Sequence, residues 1–320
     1  MAVNRDKPDR WKRDIAQSVD MYNDWFMRFA PKAYRTTRVQ TTKDVEATLK
    51  STENLTNVGV ELLRANPSVL PSLRMSTCPP LAVDRLIGLA GVSGNLVKVM
   101  EKDNRLPPRM SRREIDKDLE KIGKIIEKMA DPDVFVWLER GDDPSDQELY
   151  RAATIVADRL CGAVANPIIR NAQEKRQLAA IGKWLTALGY KNLPAGEGTK
   201  YDDMEPGTFS YRLNVPVEQD GTAKIVNIPV DTVVMPKAAN VDDLPLLIEA
   251  KSAGDFTNVN KRRKEEAAKM SLLRRTYGDD VRYILFLCGY FDSGYLGYEA
   301  AEGIDWVWEH RINDLGEFGL

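Results

Sequence analysis

The feature that most constrains this chain is a carboxylate and an ammonium two residues apart at the end of an apolar run, Leu246-Leu247-Ile248-Glu249-Ala250-Lys251. Side chains alternate along a strand, so Glu249 and Lys251 leave it from the same face. Setting charges at the end of a buried run costs energy, so a solvated strand end is the poorer account of them. Glu249 is also the only acidic residue in the chain with a lysine two positions later. Upstream, Ile225 to Val234 is dominated by β-branched residues, which favours a second strand. If the two strands pair, Asp231 falls beside the Glu249–Lys251 pair, and two carboxylates and an ammonium share one small site.

That set of groups suits phosphodiester hydrolysis. Asp231 and Glu249 offer hard oxygen ligands to a divalent cation such as Mg²⁺, and the Ala250 carbonyl offers a further one. A bound cation polarises a phosphate and acidifies water. Lys251 is placed to orient that water or to offset charge on the phosphoryl group in the transition state.

Composition narrows the remaining possibilities. With 43% hydrophobic and 29% charged residues in 320, the chain reads as a globular protein of one large or two smaller domains. A net charge of −2 means that any nucleic-acid surface is a local patch. The one histidine, His310, argues against His-based triads and His-ligated metals, which leaves carboxylates. Cys78, Cys161 and Cys288 are widely spaced without a CxxC, so buried free thiols are expected rather than a zinc site. No signal-peptide pattern or transmembrane-length apolar run stands out, which points away from a membrane and to the cytoplasm.

Residues 1–165 read as a mostly helical domain. Trp11, Ile15, Val19, Trp25, Phe26 and Phe29 recur at helical spacing, and Pro31 is expected to end that helix. Val45 to Ala65 gives a second amphipathic helix. Within Leu81 to Lys102, Gly91 and Ser93 resemble the bend and cap of a helix-turn-helix, although few basic side chains line its second helix. Ser111-x-x-Glu114 and Ser145-x-x-Glu148 are capping boxes that each start a helix. Asn166-Pro167 marks the expected boundary, with a second domain over 166–320.

That domain opens with a helix from Ile168 to Leu188, whose buried stripe is Leu178, Ile181, Leu185 and Leu188. Glu174 falls on the same face. Two readings stay open for it: a carboxylate directed at a metal site, or an edge residue paired with Arg170 or Lys175. A hairpin across Asp220-Gly221, the Glu249 strand, a basic helix and a strand over Val281 to Cys288 follow. The basic helix carries Lys261, Arg262, Arg263, Lys264, Lys269, Arg274 and Arg275 and would suit DNA phosphates. In the loop before it, Asp255, Thr257, Asn258 and Asn260 could bond base edges or simply face water. Gly289 to Gly297 reads as a loop, and Asp305 to Ile312 as a closing edge strand.

The order helix, strand, strand, strand, helix, strand, with Pro229-Val230-Asp231 and Glu249-Ala250-Lys251, resembles the PD-(D/E)xK nuclease fold. That is an α+β fold with a mixed sheet flanked by helices. A valine intervenes between the proline and the aspartate, a departure that leaves the chemistry intact. Glu174 matches the helix carboxylate that many such enzymes add to the metal site. SVDMYNDWFMRFAPKAYRTTR, STCPPLAVDRLIGLAGV and NPIIRNAQEKRQL look like the XamI group of type II restriction endonucleases. This resemblance implies a Mg²⁺-dependent, site-specific cutter of double-stranded DNA that acts as a homodimer beside a cognate methyltransferase. It implies catalytic roles for Asp231, Glu249, Lys251 and Glu174, with Asp231, Glu249 and Ala250 at the metal. Lys261, Arg262, Arg263, Lys264, Asn258 and Asn260 would then face DNA. Two rivals stand beside it. A repair, transposon or resolvase nuclease would share the site without cutting both strands at one sequence. A non-catalytic DNA-binding protein would have no reason to gather the three motif residues.

Overall fold

The computed structural model describes residues 2–194, 199–201, 203–219, 224–240, 243–257 and 259–320, and leaves the side chains of 259–263 outside the description. The helical part runs α1 (Pro8–Ser51), α2 (Val60–Ala65), α3 (Leu70–Met75), α4 (Val83–Ala90), α5 (Gly94–Asp103), α6 (Arg112–Met129), α7 (Trp137–Arg140) and α8 (Asp146–Ala187). Then come β1 (Lys191–Leu193), β2 (Thr208–Glu218), β3 (Ile225–Met235), β4 (Leu246–Ala253), α9 (Val259–Tyr277), β5 (Arg282–Gly289), α10 (Ser293–Ala301) and β6 (Asp305–Trp308).

The chain forms two compact units, one of residues 30–169 and the other of 1–29 with 170–320. The N-terminal 29 residues thus belong with the C-terminal part of the chain, a partition that sequence order does not display. Val3 and Asn4 donate their backbone N–H groups to the carboxylate of Asp305, and the rings of Trp11 and Trp306 meet edge to face at 5.4 Å.

Two expected helix ends are absent. Pro31 lies inside α1 and Pro167 inside α8. Proline removes the bond to the carbonyl four residues back. Here those are Met27 and Ala163, both exposed, so water can take the freed carbonyls. Helix α8 is also long and apolar enough to cross a membrane by length and composition, although a single such helix is weak evidence of a span.

In the 30–169 unit the stripe Ile115, Leu119, Ile122 and Ile126 of α6 is buried, together with Leu63, Leu73, Leu86 and Phe135. Both capping boxes form, with the Ser111 and Ser145 hydroxyls accepting from the N–H groups of Glu114 and Glu148. Gly91, left-handed at φ 58°, closes α4, and Ser93 caps α5 by accepting from the Leu96 N–H. The bend and the cap between two helices are therefore present. Of the cysteines, Cys161 and Cys288 are buried free thiols, whereas Cys78 is exposed.

The other unit is built on one six-stranded sheet in the order β1-β2-β3-β4-β5-β6. β2, β3 and β4 are antiparallel neighbours, while β4, β5 and β6 run parallel. Parallel strands need a crossover, and α9 and α10 supply the two. Leu247, Leu285, Leu287, Trp306 and Trp308 cover one face with Met270 and Leu273 of α9. Ile248, Ile284, Phe286 and Val307 cover the other with Ile181 and Leu185 of α8. The segment expected as a Gly289–Gly297 loop contains the start of α10, because Asp292 accepts from the Tyr295 N–H as an N-cap. The Asp220-Gly221 turn lies outside the described residues.

Candidate active site

The site sits where β3 parts from β4. These strands pair only over Thr232–Val234, and below that point β3 stays with β2 alone. At the fork the faces of β2 and β3 exchange. Leu213, Val215 and Val217 share one core with Ile228 and Val230, yet Phe209 and Val234, of the same parities, belong to the opposite core. The change falls at Arg212 and Asp231, which stand opposite each other between the paired positions Tyr211↔Thr232 and Leu213↔Val230. Arg212 has φ 51°, a left-handed backbone that costs a non-glycine residue about 1 kcal/mol or more. The exchange leaves Asp231 beside the motif on β4: its Oδ2 accepts from the Ala250 N–H at 2.9 Å.

Glu249 and Lys251 do share a face, and the Lys251 ammonium lies 3.0 Å from Glu249 Oε1. Helix α9 adds two groups that the strand pattern does not reveal. Glu266, fully buried, puts Oε1 2.8 Å from Lys251 Nζ, and its Oε2 accepts from the Tyr283 hydroxyl. Lys269 donates to Glu249 Oε1 at 2.5 Å. Both were legible as members of a charged helix, but nothing in the sequence says which turn of it faces the sheet. On the other side of the sheet, the buried Gln177 of α8 donates to the carbonyls of Lys251 and Phe286 at 3.3 and 3.2 Å, which holds the end of the motif strand.

The electrostatics follow from this crowding. Burial, and then the charge of Glu249, pushes the Asp231 carboxyl up to about 6, against the pull of the Ala250 N–H and Lys251. For Lys251, burial alone would favour the neutral amine, but Glu249 and Glu266 outweigh it and raise the ammonium above the ordinary lysine range. Lys251 is therefore a fixed cation at neutral pH and not a proton acceptor. Burial, Glu266 and Glu249 likewise keep the Tyr283 hydroxyl neutral, so it can donate.

Glu174 is half-buried and pairs with Arg212 Nη2 at 2.5 Å, not with the Arg170 or Lys175 that sequence proximity offered. Its charge reaches Asp231 and adds to the upward shift there. Lys264 is exposed on α9. Asn258 lies outside the described residues, as do the side chains of Asn260, Lys261, Arg262 and Arg263. Asp255 accepts from the Thr257 N–H at 2.8 Å in a local turn.

A hard divalent cation fits these groups. Among the described residues Glu249 Oε2 is buried without a hydrogen-bond partner, and Asp231 bears a carboxylate set against that of Glu249. Among the described residues no group of three or more acidic, histidine or cysteine side chains is arranged to hold a metal ion. Two carboxylates offer hard oxygen ligands to a divalent cation that keeps several of its waters.

A mixed sheet flanked by helices, with Asp231, Glu249 and Lys251 gathered at its fork, is the arrangement of the PD-(D/E)xK nucleases. The chain belongs to the XamI restriction endonuclease family, whose model matches residues 53–308. It is 52% identical over 317 residues to the type II restriction enzyme SalI of Streptomyces albus G, with 99% of each chain covered. It is accordingly a type II site-specific deoxyribonuclease, with DNA as its substrate. Enzymes of this kind generally require a divalent metal ion. The crystal structure of protein VC1899 from Vibrio cholerae aligns with 87% of this chain and 55% of its own at 12% identity and a TM-score of 0.29, too loose a likeness to bear on the fold.

Proposed function

We propose that Asp231, Glu249 and the Ala250 carbonyl hold Mg²⁺ for hydrolysis of DNA phosphodiester bonds. The observation that carries this reading is the Asp231 Oδ2 to Ala250 N–H bond of 2.9 Å, which ties a carboxylate of one strand to the motif of the next. The cation supplies charge to the scissile phosphate and acidifies water. Lys251, kept cationic by Glu249 and Glu266, orients the attacking water and offsets charge that develops on the phosphate oxygens. Glu174 supports the water around the cation, and Arg212 holds Glu174 toward Asp231.

Lys261, Arg262, Arg263 and Lys264 are assigned to the DNA backbone, and Asn258 and Asn260 to base reading. The sheet-bearing part of the chain is the nuclease domain, and the helical part contributes to DNA recognition. The enzyme works as a homodimer on a palindrome, since a two-fold protein presents one site to each strand. It acts in the cytoplasm, where a cognate methyltransferase protects host DNA.

The test is incubation of unmethylated DNA with Mg²⁺ or EDTA, for the native protein and Lys251→Ala. Discrete fragments that need Mg²⁺ and vanish in the variant are expected. Equal cleavage by the variant would remove Lys251 from the mechanism.

A further inference from the structure

The carboxylate of Glu249 is unevenly shared. Its Oε1 accepts from two ammonium groups, Lys251 at 3.0 Å and Lys269 at 2.5 Å, while its buried Oε2 has no hydrogen-bond partner among the described residues. The two lysines are not equivalent. Lys251 has a second carboxylate, Glu266 at 2.8 Å, which is itself braced by the Tyr283 hydroxyl. Among the described residues, Glu249 is the carboxylate that the structure gives Lys269. Lys269 lies three residues beyond Glu266, so α9 turns both toward the sheet. Its side chain retains 23% of its exposure and therefore has a way out toward solvent. Lys264 of the same helix is exposed, and among the described residues the ion pairs at the motif are those of Lys251 and Lys269.

We propose that Lys269 is a second working ammonium of the cleavage site: it occupies Glu249 in the resting enzyme, yields that carboxylate to the divalent cation, and then contacts the scissile phosphate. The inference rests on the reading of Asp231 and Glu249 as metal ligands. A divalent ion on Oε2 and an ammonium on Oε1 of the same carboxylate repel each other. Lys251 is held in place by Glu266, so Lys269 is the group that moves. Its flexible four-carbon stem lets the ammonium swing without any change in the helix. With Glu249 given up to the cation, the phosphate oxygens of bound DNA attract the ammonium.

The test separates metal binding from turnover. Binding of Mn²⁺ without DNA is followed by the electron paramagnetic resonance of the free ion, for the native protein, Lys269→Met, Lys269→Arg and Glu249→Gln. Single-turnover cleavage is then measured at saturating Mg²⁺. Lys269→Met should bind Mn²⁺ about three- to tenfold more tightly, the scale of one part-exposed ion pair. Its cleavage step should nevertheless slow by about tenfold or more, as on loss of a charge that stabilises a transition state. Lys269→Arg should restore much of the rate. Weaker Mn²⁺ binding by Lys269→Met would show that the lysine only positions Glu249, and unchanged affinity and rate would show a bystander; either overturns the proposal. If Mn²⁺ binding were absent from the native protein, or indifferent to Glu249→Gln, the metal-site reading would fail as well. Metal binding that depends on Glu249 but not on Lys269 would sink the lysine's role alone.

Discussion

Asp231→Asn is expected to make the metal-free enzyme more stable while abolishing cleavage. In the fold the Asp231 carboxyl rises from 3.8 to about 6, first because of burial and then because of the Glu249 charge. Each unit of such a shift corresponds to about 1.4 kcal/mol, so the ionised carboxylate costs the fold at most about 3 kcal/mol at neutral pH. Side-chain rearrangement and partial solvent screening reduce this, and a gain of about 1–2 kcal/mol is the working expectation. Asparagine keeps an oxygen that can accept from the Ala250 N–H and loses only the charge. The direction with pH follows from proton binding. Between 3.8 and 6 the native state of the wild type binds more protons than the unfolded state, so its stability falls as pH rises through that window. The variant's advantage is therefore full above pH 6, shrinks below it and disappears under about pH 4. Urea unfolding in EDTA across this pH range measures it. Added Mg²⁺ should reverse the ranking, because the native protein binds the ion and the variant binds it poorly. A loss of stability at pH 7.5, or a gain that persists unchanged at pH 4, would refute the reasoning.

Two further substitutions probe the frame around the site. Arg212→Gly removes a left-handed strain at φ 51° and also the partner of Glu174. Stability should hold or rise by up to about 1 kcal/mol, while cleavage falls about tenfold or more. Unfolding curves paired with single-turnover rates separate the two effects, and a fall in both together would mean that the ion pair serves the fold. Gly289→Ala sets a Cβ 2.1 Å from the Ala253 carbonyl oxygen, at a residue with φ 101°. Ala253 ends the motif strand, so a loss of roughly 3 kcal/mol or more and a displaced β4–β5 end are expected. Thermal melting checks the first, and a normal melting temperature would show that the backbone there can shift freely.

The motif itself was readable because strand periodicity is a local property. Glu249 and Lys251 share a face whatever lies around them, and an apolar run that ends in charges marks where that face becomes polar. The two capping boxes and the α6 stripe were legible for the same reason, since each depends on residues within a few positions of one another. Proline misled at 31 and 167, because its effect on a helix depends on whether the freed carbonyl can find water. The short loop expected after Gly289 was also misread, since Asp292 caps a helix that its Tyr- and Gly-rich composition does not advertise.

The partners of the site depended on contacts that no spacing encodes. Glu174 finds Arg212 on β2, 38 residues away, and not its sequence neighbours. Glu266 and Lys269 sit in a run of charges, and only the docking of α9 on the sheet decides that these two face inward while Lys264 faces out. What the sequence alone determined is the chemistry available: two carboxylates and an ammonium on two segments of strand character. The tertiary structure decided which groups share the site and in what charge state. Burial and charge–charge forces act through space, and they depend on distances that exist only once the sheet, α8 and α9 have packed together.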